Sequence, residues 1–200
     1  MLFRSFANIA STPAHVATLR GLLDGSVTLD GLEIDTDLSW ELLQGLALNA
    51  ATDDTAIAAA LANDNTSNGQ QAAARVRAAL PGADDKRAAF ASLADSDKLP
   101  NVIVRATTAG YLHVNDSSSL APLVEPYFAA IGDIWKNRSY QIAETFVLGL
   151  YPAPLASQQL VDATTAWLDA NPDVPALRRL VVESLAGVER ALRAQARDRA

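Results

Sequence analysis

Apolar residues recur at helical spacing along almost the whole chain of 200 residues. Positions i, i+3, i+4 and i+7 share one face of a helix, so each such run predicts an amphipathic α-helix. The first clear stripe comprises Val16, Leu19, Leu22 and Leu23. Similar stripes begin at Leu38, Ile57, Val76, Phe90, Ile103, Leu120, Ile142, Leu160 and Leu177.

Polar residues, prolines and glycines separate these stripes at the places where helices begin and end. Thr12-Pro13 offers a cap followed by a proline at the first helical position, and Gly25 can end that helix. The other predicted starts are Asp53, Ser67 or Asn68, Asp84 or Asp85, Pro100-Asn101, Ser139 and Pro175. Residues 117–119 precede a longer predicted helix that reaches Trp135 and that Pro126 can bend.

This pattern predicts an all-α fold of about ten helices in a single domain, residues 1–200. Short links between helices of this length favour antiparallel pairs. Such pairs can form a bundle or an α-solenoid, and a solenoid without a sharp repeat is nearer the HEAT-like type, a superhelix of helix pairs. The chain also starts inside a predicted helix, with no cap before Leu2, as expected of a fragment of a longer chain.

Composition and charge exclude several classes of function. The net charge of −7 argues against a nucleic-acid partner, which requires a basic face. No apolar run approaches the length of a membrane span or of a secretory signal, so we expect no membrane contact and a cytoplasmic location. The absence of cysteines removes disulfides and thiolate metal ligands.

Three alternating carboxylates, Glu33, Asp35 and Asp37, precede one of the apolar stripes and are candidates for a metal loop. A calcium loop that starts at Glu33 would need glycine at position 38 and glutamate at position 44, where the chain has leucine and glutamine. Asp35 and Asp37 are therefore interpreted as helix caps. The stretch from Asp64 to Gln70 fails the same test, because an arginine occupies its twelfth position.

No catalytic or metal-binding constellation is found in the sequence. The two histidines, His15 and His113, are far apart and are interpreted as surface or helix-end residues. The chain lacks H-E-x-x-H, G-x-G, G-K-[ST] and G-x-S-x-G. Arg105 and Arg138 stand beside apolar stripes, where each can form a structural ion pair or bind a carboxylate in a cavity.

Three long stretches together resemble the C-terminal helical domain of bacterial aminopeptidase N, the actinobacterial type of zinc aminopeptidase. They are the stretch from Leu19 to Leu46, with LRGLLDG and LEIDTDLSWELLQGL, then DNTSNGQQAAARVRAALPGADDK, and the run from Asn101 to Pro152. The segment PALRRLVVESLAGVERALRAQ near the end also fits. Their order and spacing match over nearly the whole chain. One departure is Ser39, where the family usually has arginine.

The resemblance implies a non-catalytic domain that caps an upstream catalytic domain of the same polypeptide and encloses a peptide chamber. The implied parent enzyme removes N-terminal residues from peptides with a zinc ion bound in that catalytic domain, through H-E-x-x-H and G-x-M-E-N segments that this chain lacks. No cofactor is expected in this chain. Peptide substrates are expected to meet Arg105 and Arg138.

Two other functions remain open at this point. A stand-alone helical-repeat module would bind partner proteins on its concave surface. An unrecognised helical enzyme would need a cavity in which His15 or His113 meets carboxylates.

Overall fold

The structure, a computed structural model, describes the backbone of residues 2–199 and the side chains of residues 5–199. This part of the chain is all-α and contains no strand. Its α-helices are α1 Leu2–Ile9, α2 Pro13–Asp24, α3 Thr36–Leu48, α4 Asp54–Asn63, α5 Ser67–Ala79, α6 Ala83–Ala94, α7 Asn101–Tyr111, α8 Val124–Asn137, α9 Tyr140–Leu150, α10 Gln158–Ala170 and α11 Pro175–Asp198. Two 3-10 helices span Ser117–Leu123 and Ala153–Leu155.

Side-chain caps begin several of the helices. Each cap residue has extended backbone angles, and its side-chain oxygen accepts a hydrogen bond from the third residue beyond it, which satisfies one free amide of the first turn. Thr12, Asp35, Asp53, Thr66 and Ser157 do this for α2, α3, α4, α5 and α10. The Asp35 carboxylate accepts from the Leu38 amide at 2.7 Å, and Asp37 lies in the first turn of α3.

Two predicted helix boundaries differ from the observed ones. Asp84 and Asp85 lie inside the first turn of α6, and the cap position is Gly82, which makes no side-chain bond. The long helix that was predicted to follow residues 117–119 and reach Trp135 is divided into a 3-10 helix, Ser117–Leu123, and α8. The change of helix type occurs before Pro126, which lies in the first turn of α8. Amides of the first turn have no intrahelical acceptor, so a proline at this position costs the helix no hydrogen bond.

The helices form two layers. α1, α3, α5, α7, α9 and α11 pack side by side in chain order, and we call them the odd layer. The even-numbered helices lie against this layer, and each packs mainly on the odd helices next to it in sequence. Pairwise packing defines the neighbours of each helix and does not define a superhelix, so the predicted solenoid stays a prediction.

Glycines allow the odd layer to pack closely. A Cβ atom built on Gly110 of α7 would lie 1.9 Å from the Arg75 carbonyl oxygen of α5. On Gly45 of α3 it would lie 2.6 Å from the Ala7 carbonyl oxygen of α1, and on Gly149 of α9 it would lie 2.6 Å from the Thr108 side chain. Because the missing Cβ atoms leave this room, neighbouring odd helices approach closely at these points.

The buried apolar side chains form three clusters along the array. One joins α1, α2 and α3 around Leu19 and Leu42, and a second joins α3, α4 and α5 around Ile57 and Val76. The largest extends from α5 to α11 and contains Tyr127 and Phe146. Each cluster includes side chains of both odd-numbered and even-numbered helices.

Candidate functional site

A polar groove lies between α5 and α7 of the odd layer. It has a volume of about 400 Å³. Its charged and amide side chains are Asp37, Asn68, Gln71, Arg75 and Arg105. Alanine and valine residues of α5 and α7 form the rest of its wall. We call this site the α5–α7 groove.

Arg105 is the exposed cation of this groove. It lies on α7 at the same face as Val102 and Ala109, which also line the groove. Its guanidinium group has no hydrogen-bonded or ion-paired partner among the side chains of residues 5–199. The five N–H groups of this guanidinium can therefore donate to a carboxylate without first breaking a bond to any described side chain.

Arg75, the second arginine of the groove, is held by an acidic partner. One of its terminal nitrogens lies 2.7 Å from Glu41 Oε1 on α3, and Asn8 of α1 donates to the other oxygen of Glu41 at 3.3 Å. The Nε atom of Arg75 is buried without a hydrogen-bond partner. These contacts connect α1, α3 and α5 through Glu41.

Arg138 occupies a different place and does not line the α5–α7 groove. Its Nη2 donates to the Ala94 carbonyl at 2.8 Å, and its Nη1 donates to the carbonyls of Leu93 and Ser96. These carbonyls lie at the C-terminal end of α6, where intrahelical partners are missing. The ion pair considered for Arg138 in the sequence is therefore replaced by bonds to the backbone, and its predicted contact with peptides stays a prediction.

Three further cations bind helix ends in the same way as Arg138. Arg20 donates to the Ala51 carbonyl just beyond α3 at 2.9 Å, and Arg178 donates to the carbonyls of Leu168 and Asn171 at the end of α10. Lys86 completes this set. We call these four residues the capping cations: their positive charge suits the negative end of each helix.

Lys86 ties the two helices of the groove together at their C-terminal ends. Its Nζ donates to Ala78 O of α5 at 2.6 Å and to Tyr111 O of α7 at 3.0 Å. The side chain is fully buried, and this burial lowers the pKa of Lys86 to about 8, against a weaker opposite effect of Asp85. Sequence reasoning missed this role, because the run ADDKRAAF has the composition of a solvated helix face.

The two histidines do not form a metal site. His15 Nδ1 accepts from the Ser11 amide at 3.3 Å, and its ring contacts Phe6 edge-on. Both ring nitrogens of His113 are hydrogen-bonded to Gln44 and to the Asn8 carbonyl. In the described part of the chain, no group of three or more histidines, cysteines or carboxylates could hold a metal ion. The donor set of this part does not fit zinc.

Asp64, part of the second stretch tested as a calcium loop, is a structural residue. Its carboxylate accepts from Trp40 Nε1 at 2.9 Å and from the Thr66 hydroxyl at 2.8 Å. These bonds, that of Trp40 foremost, lower the pKa of Asp64. The contact between Trp40 and Asp64 joins α3 to the link between α4 and α5. Because the two residues are 24 positions apart, no sequence pattern predicted their contact.

None of the helices in the described residues is both long and apolar enough to cross a membrane.

Comparisons with known proteins identify the family of this chain. The family described as ERAP1-like C-terminal domain matches residues 1–190. An aminopeptidase N of Streptomyces lividans is 44% identical over 197 residues, which cover 98% of this chain and 23% of that protein. The chain thus spans about a quarter of the length of this relative. The match over nearly the whole chain is decisive for the family: the chain belongs to the ERAP1-like C-terminal domain family.

Proposed function

We propose that this chain is the non-catalytic C-terminal domain of a larger zinc aminopeptidase, whose upstream catalytic domain removes N-terminal residues from peptides. The support is the similarity to aminopeptidase N, of which the matched region is 23%. In this proposal the zinc ion belongs to the catalytic domain, and residues 1–200 form one domain that covers it. The cytoplasmic location expected from the sequence is part of the same proposal.

We assign to the peptide chamber the side of the odd layer that carries the α5–α7 groove. The close approaches at Gly45, Gly110 and Gly149 all lie in the odd layer, whereas the even helices pack mainly on their odd neighbours. When neighbouring helices are spaced more closely in one layer than in the other, a two-layer array curves toward the layer with the closer spacing. The odd layer would therefore form the concave surface, which is the side that solenoids offer to extended ligands.

Arg105 is the observation on which the assignment of a peptide contact depends. It is an exposed arginine without a partner among the described side chains, and its groove also presents the amides of Asn68 and Gln71. A guanidinium can bind a carboxylate with two parallel hydrogen bonds, and side-chain amides can pair with a peptide group. We assign this groove to the carboxylate end of a peptide. Arg138 remains a second predicted contact, although a carboxylate there would have to displace bonds to α6.

The alternative of a stand-alone interaction module has less support. Such a module would also use a concave surface, but the similarity to aminopeptidase N extends over 98% of the chain. A constitutive protein interface would be expected to present a broad apolar patch. The α5–α7 groove is polar and presents Arg105, which suits the end of a peptide better.

The catalytic assignment predicts that the purified 200-residue chain does not hydrolyse alanyl or arginyl chromogenic amides, with or without added zinc. The polypeptide that contains the upstream region should hydrolyse them and lose activity on chelation. Zinc-dependent turnover by the 200-residue chain would overturn the proposal, and so would an upstream reading frame without H-E-x-x-H.

The Arg105 assignment predicts carboxylate-dependent binding of peptides to the chain. Fluorescence anisotropy would compare a labelled nonapeptide that has a free C-terminus with its C-terminal amide. We expect Arg105→Ala to weaken binding of the free acid by about tenfold or more, because the two charge-assisted bonds to the carboxylate are lost, and to leave the amide unchanged. Arg105→Lys should restore part of the affinity, because lysine keeps the charge but not the two-pronged geometry.

A matched control is Arg197→Ala, which removes an exposed arginine from the last turn of α11 without touching the groove. Equal binding of acid and amide by the wild-type chain would contradict the assignment. So would an equal loss of affinity for both peptides in Arg105→Ala.

A further inference from the structure

A second pocket lies between α3 and α4, and we call it the α3–α4 pocket. Its volume is about 380 Å³, within the range of about 300–1,000 Å³ that is usual for ligand sites in proteins. Its apolar lining residues are Leu23, Trp40, Leu43, Ala56 and Ala60, and its polar lining residues are Thr36, Ser39, Asn63 and Asp64.

The α3–α4 pocket and the α5–α7 groove share no lining residue. Thr36 lines the pocket, and the next residue of α3, Asp37, lines the groove. The two sites therefore adjoin the same turn of α3 but are built from different side chains. The function proposed for the groove assigns no ligand to the pocket.

Asp64 is the charged residue among the described residues that line the pocket. Its Oδ2 accepts from Trp40 Nε1 at 2.9 Å, and its Oδ1 accepts from the Thr66 hydroxyl at 2.8 Å. The bond from Trp40, and then that from Thr66, lowers the pKa of Asp64, so the carboxylate is ionised at neutral pH. No cation is paired with it among the side chains of residues 5–199. Because a carboxylate can accept about four hydrogen bonds, Asp64 can accept further bonds from a ligand.

The apolar wall of the pocket suits a cation that has an apolar stem. Leu23, Leu43 and the two alanines of α4 offer surface on which methylene groups can pack, as the stems of long basic side chains do on apolar surfaces. The ring of Trp40 lines the same space, and an indole attracts a cation more strongly than other aromatic rings. A small inorganic cation would leave this apolar surface unused.

The polar residues of the pocket favour a guanidinium group over an ammonium group. Thr36, Ser39 and Asn63 add side-chain oxygens to the carboxylate of Asp64. The Ser39 hydroxyl donates its hydrogen to the Asp35 carbonyl at 2.9 Å, so its oxygen can accept from a ligand. A guanidinium has five N–H donors in a fixed planar fork and no acceptor, whereas an ammonium has three donors.

We propose that the α3–α4 pocket binds the side chain of an arginine residue presented by another polypeptide. The guanidinium donates to Asp64, and the methylene stem packs on the apolar wall beside Trp40. The net charge of −7 on the chain attracts a basic partner to this site.

NMR of the isotope-labelled 200-residue chain with acetyl-arginine methylamide tests the proposal. This probe has a peptide group on each side of the arginine and no carboxylate, so it offers no acceptor carboxylate to Arg105. The indole N–H signal of Trp40 should shift and saturate, with a dissociation constant on the order of 1 mM. Trp135 and Trp167, which do not line the pocket, provide internal control signals. A Trp40 signal that stays in place at about ten times this concentration would overturn the proposal.

Two further probes identify what the pocket recognises. Acetyl-citrulline methylamide has the shape of the arginine probe but a neutral urea group, and it should bind about tenfold more weakly or less. Free arginine carries a carboxylate that Asp64 repels, so it should also bind more weakly than the arginine probe. Equal binding of the citrulline probe would refute recognition of the guanidinium. Equal or tighter binding of free arginine would assign the pocket to the amino acid and refute the polypeptide partner.

Variants of the pocket supply an independent test. Asp64→Asn keeps an oxygen for Trp40 Nε1 and removes the charge, so it should weaken the arginine probe by about tenfold or more and leave the citrulline probe unchanged. Asp133→Asn, at an exposed position of α8, is the matched control. Ala60→Leu fills the pocket from α4 with Asp64 in place, and should abolish binding even if Asp64→Asn does not fold. Unchanged affinity in Ala60→Leu would refute the site.

Discussion

Gly110→Ala should strongly destabilise the protein, because Gly110 is buried where α7 meets the backbone of α5. The new Cβ atom would lie 1.9 Å from the Arg75 carbonyl oxygen, a separation that only movement of the backbone can relieve. Forced overpacking of this kind costs about 1–3 kcal/mol, and we expect the upper end because the obstacle is backbone. Urea unfolding at pH 7 measures the change in the free energy of unfolding.

Gly132→Ala is the matched control for this experiment. Gly132 also lies within a helix, α8, but a Cβ atom there would meet nothing within 4 Å. Alanine is preferred over glycine in helix interiors by about 0.5–1 kcal/mol, so this variant should be as stable as the wild type or more so. Equal stability of the two variants would show that α5 and α7 are not in close contact at Gly110.

The same substitution should also separate α5 from α7 and so change the groove that contains Arg105. If the groove binds the carboxylate end of peptides, Gly110→Ala should weaken binding of the free acid in the anisotropy assay, and Gly132→Ala should not. This comparison links the packing of the odd layer to the proposed peptide contact.

Lys86→Met should cost about 2–4 kcal/mol at pH 7. The variant fills most of the lysine volume but leaves Ala78 O and Tyr111 O without their donor. Each unsatisfied buried group costs about 1–3 kcal/mol, partly offset because methionine needs no desolvation of a charge. Chemical denaturation measures this loss, and Lys136→Met, at an exposed position of α8, is the control. A Lys86→Met variant as stable as the control would contradict the assigned role.

The cost of Lys86→Met should rise with pH. Burial lowers the pKa of Lys86 to about 8, whereas an unfolded lysine has a pKa of about 10.4. Between these values the unfolded chain binds more protons than the folded one, so the stability contributed by Lys86 increases with pH. The difference between wild type and Lys86→Met should therefore grow by on the order of 1–2 kcal/mol from pH 7.5 to pH 9.5. A constant difference would mean that Lys86 stays charged throughout.

The chemistry of the two carbonyls explains why a neutral Lys86 is well accommodated. A neutral amine has two N–H groups, and the structure provides two carbonyl acceptors. The pKa of Tyr127 is also raised by burial, and this tyrosine is present in both the wild type and the Lys86→Met variant. The comparison with Lys86→Met therefore cancels its contribution.

The periodic spacing of leucines and valines was sufficient to predict most of the helices. Local signals such as Thr12-Pro13 and Asp53 predicted starts within a residue or two, because a cap and the amide that it bonds are three residues apart. The division at Leu123 was not predicted, since both halves of the segment from Ser117 to Asn137 carry one continuous apolar stripe. The short 3-10 helix has no distinct hydrophobic period of its own.

The candidate site could be predicted only in part. Arg105 was selected from the sequence as an isolated cation, and the structure places it in a groove. Its neighbours Asn68, Gln71 and Arg75 were not selected, because more than twenty residues of chain separate them from it. The partners of Arg138 in the structure could not be predicted, because they are backbone carbonyls, which every residue has and no sequence pattern marks.

The capping cations have a consequence for how the sequence can change over time. Arg20, Lys86, Arg138 and Arg178 each bond to peptide carbonyls, which persist whatever side chain stands at the acceptor position. A salt bridge constrains two residues that must change together, whereas each of these contacts constrains a single residue. Pairs of positions that covary among relatives will therefore reveal ion pairs such as Arg75 with Glu41 but not the bonds that hold the ends of these helices.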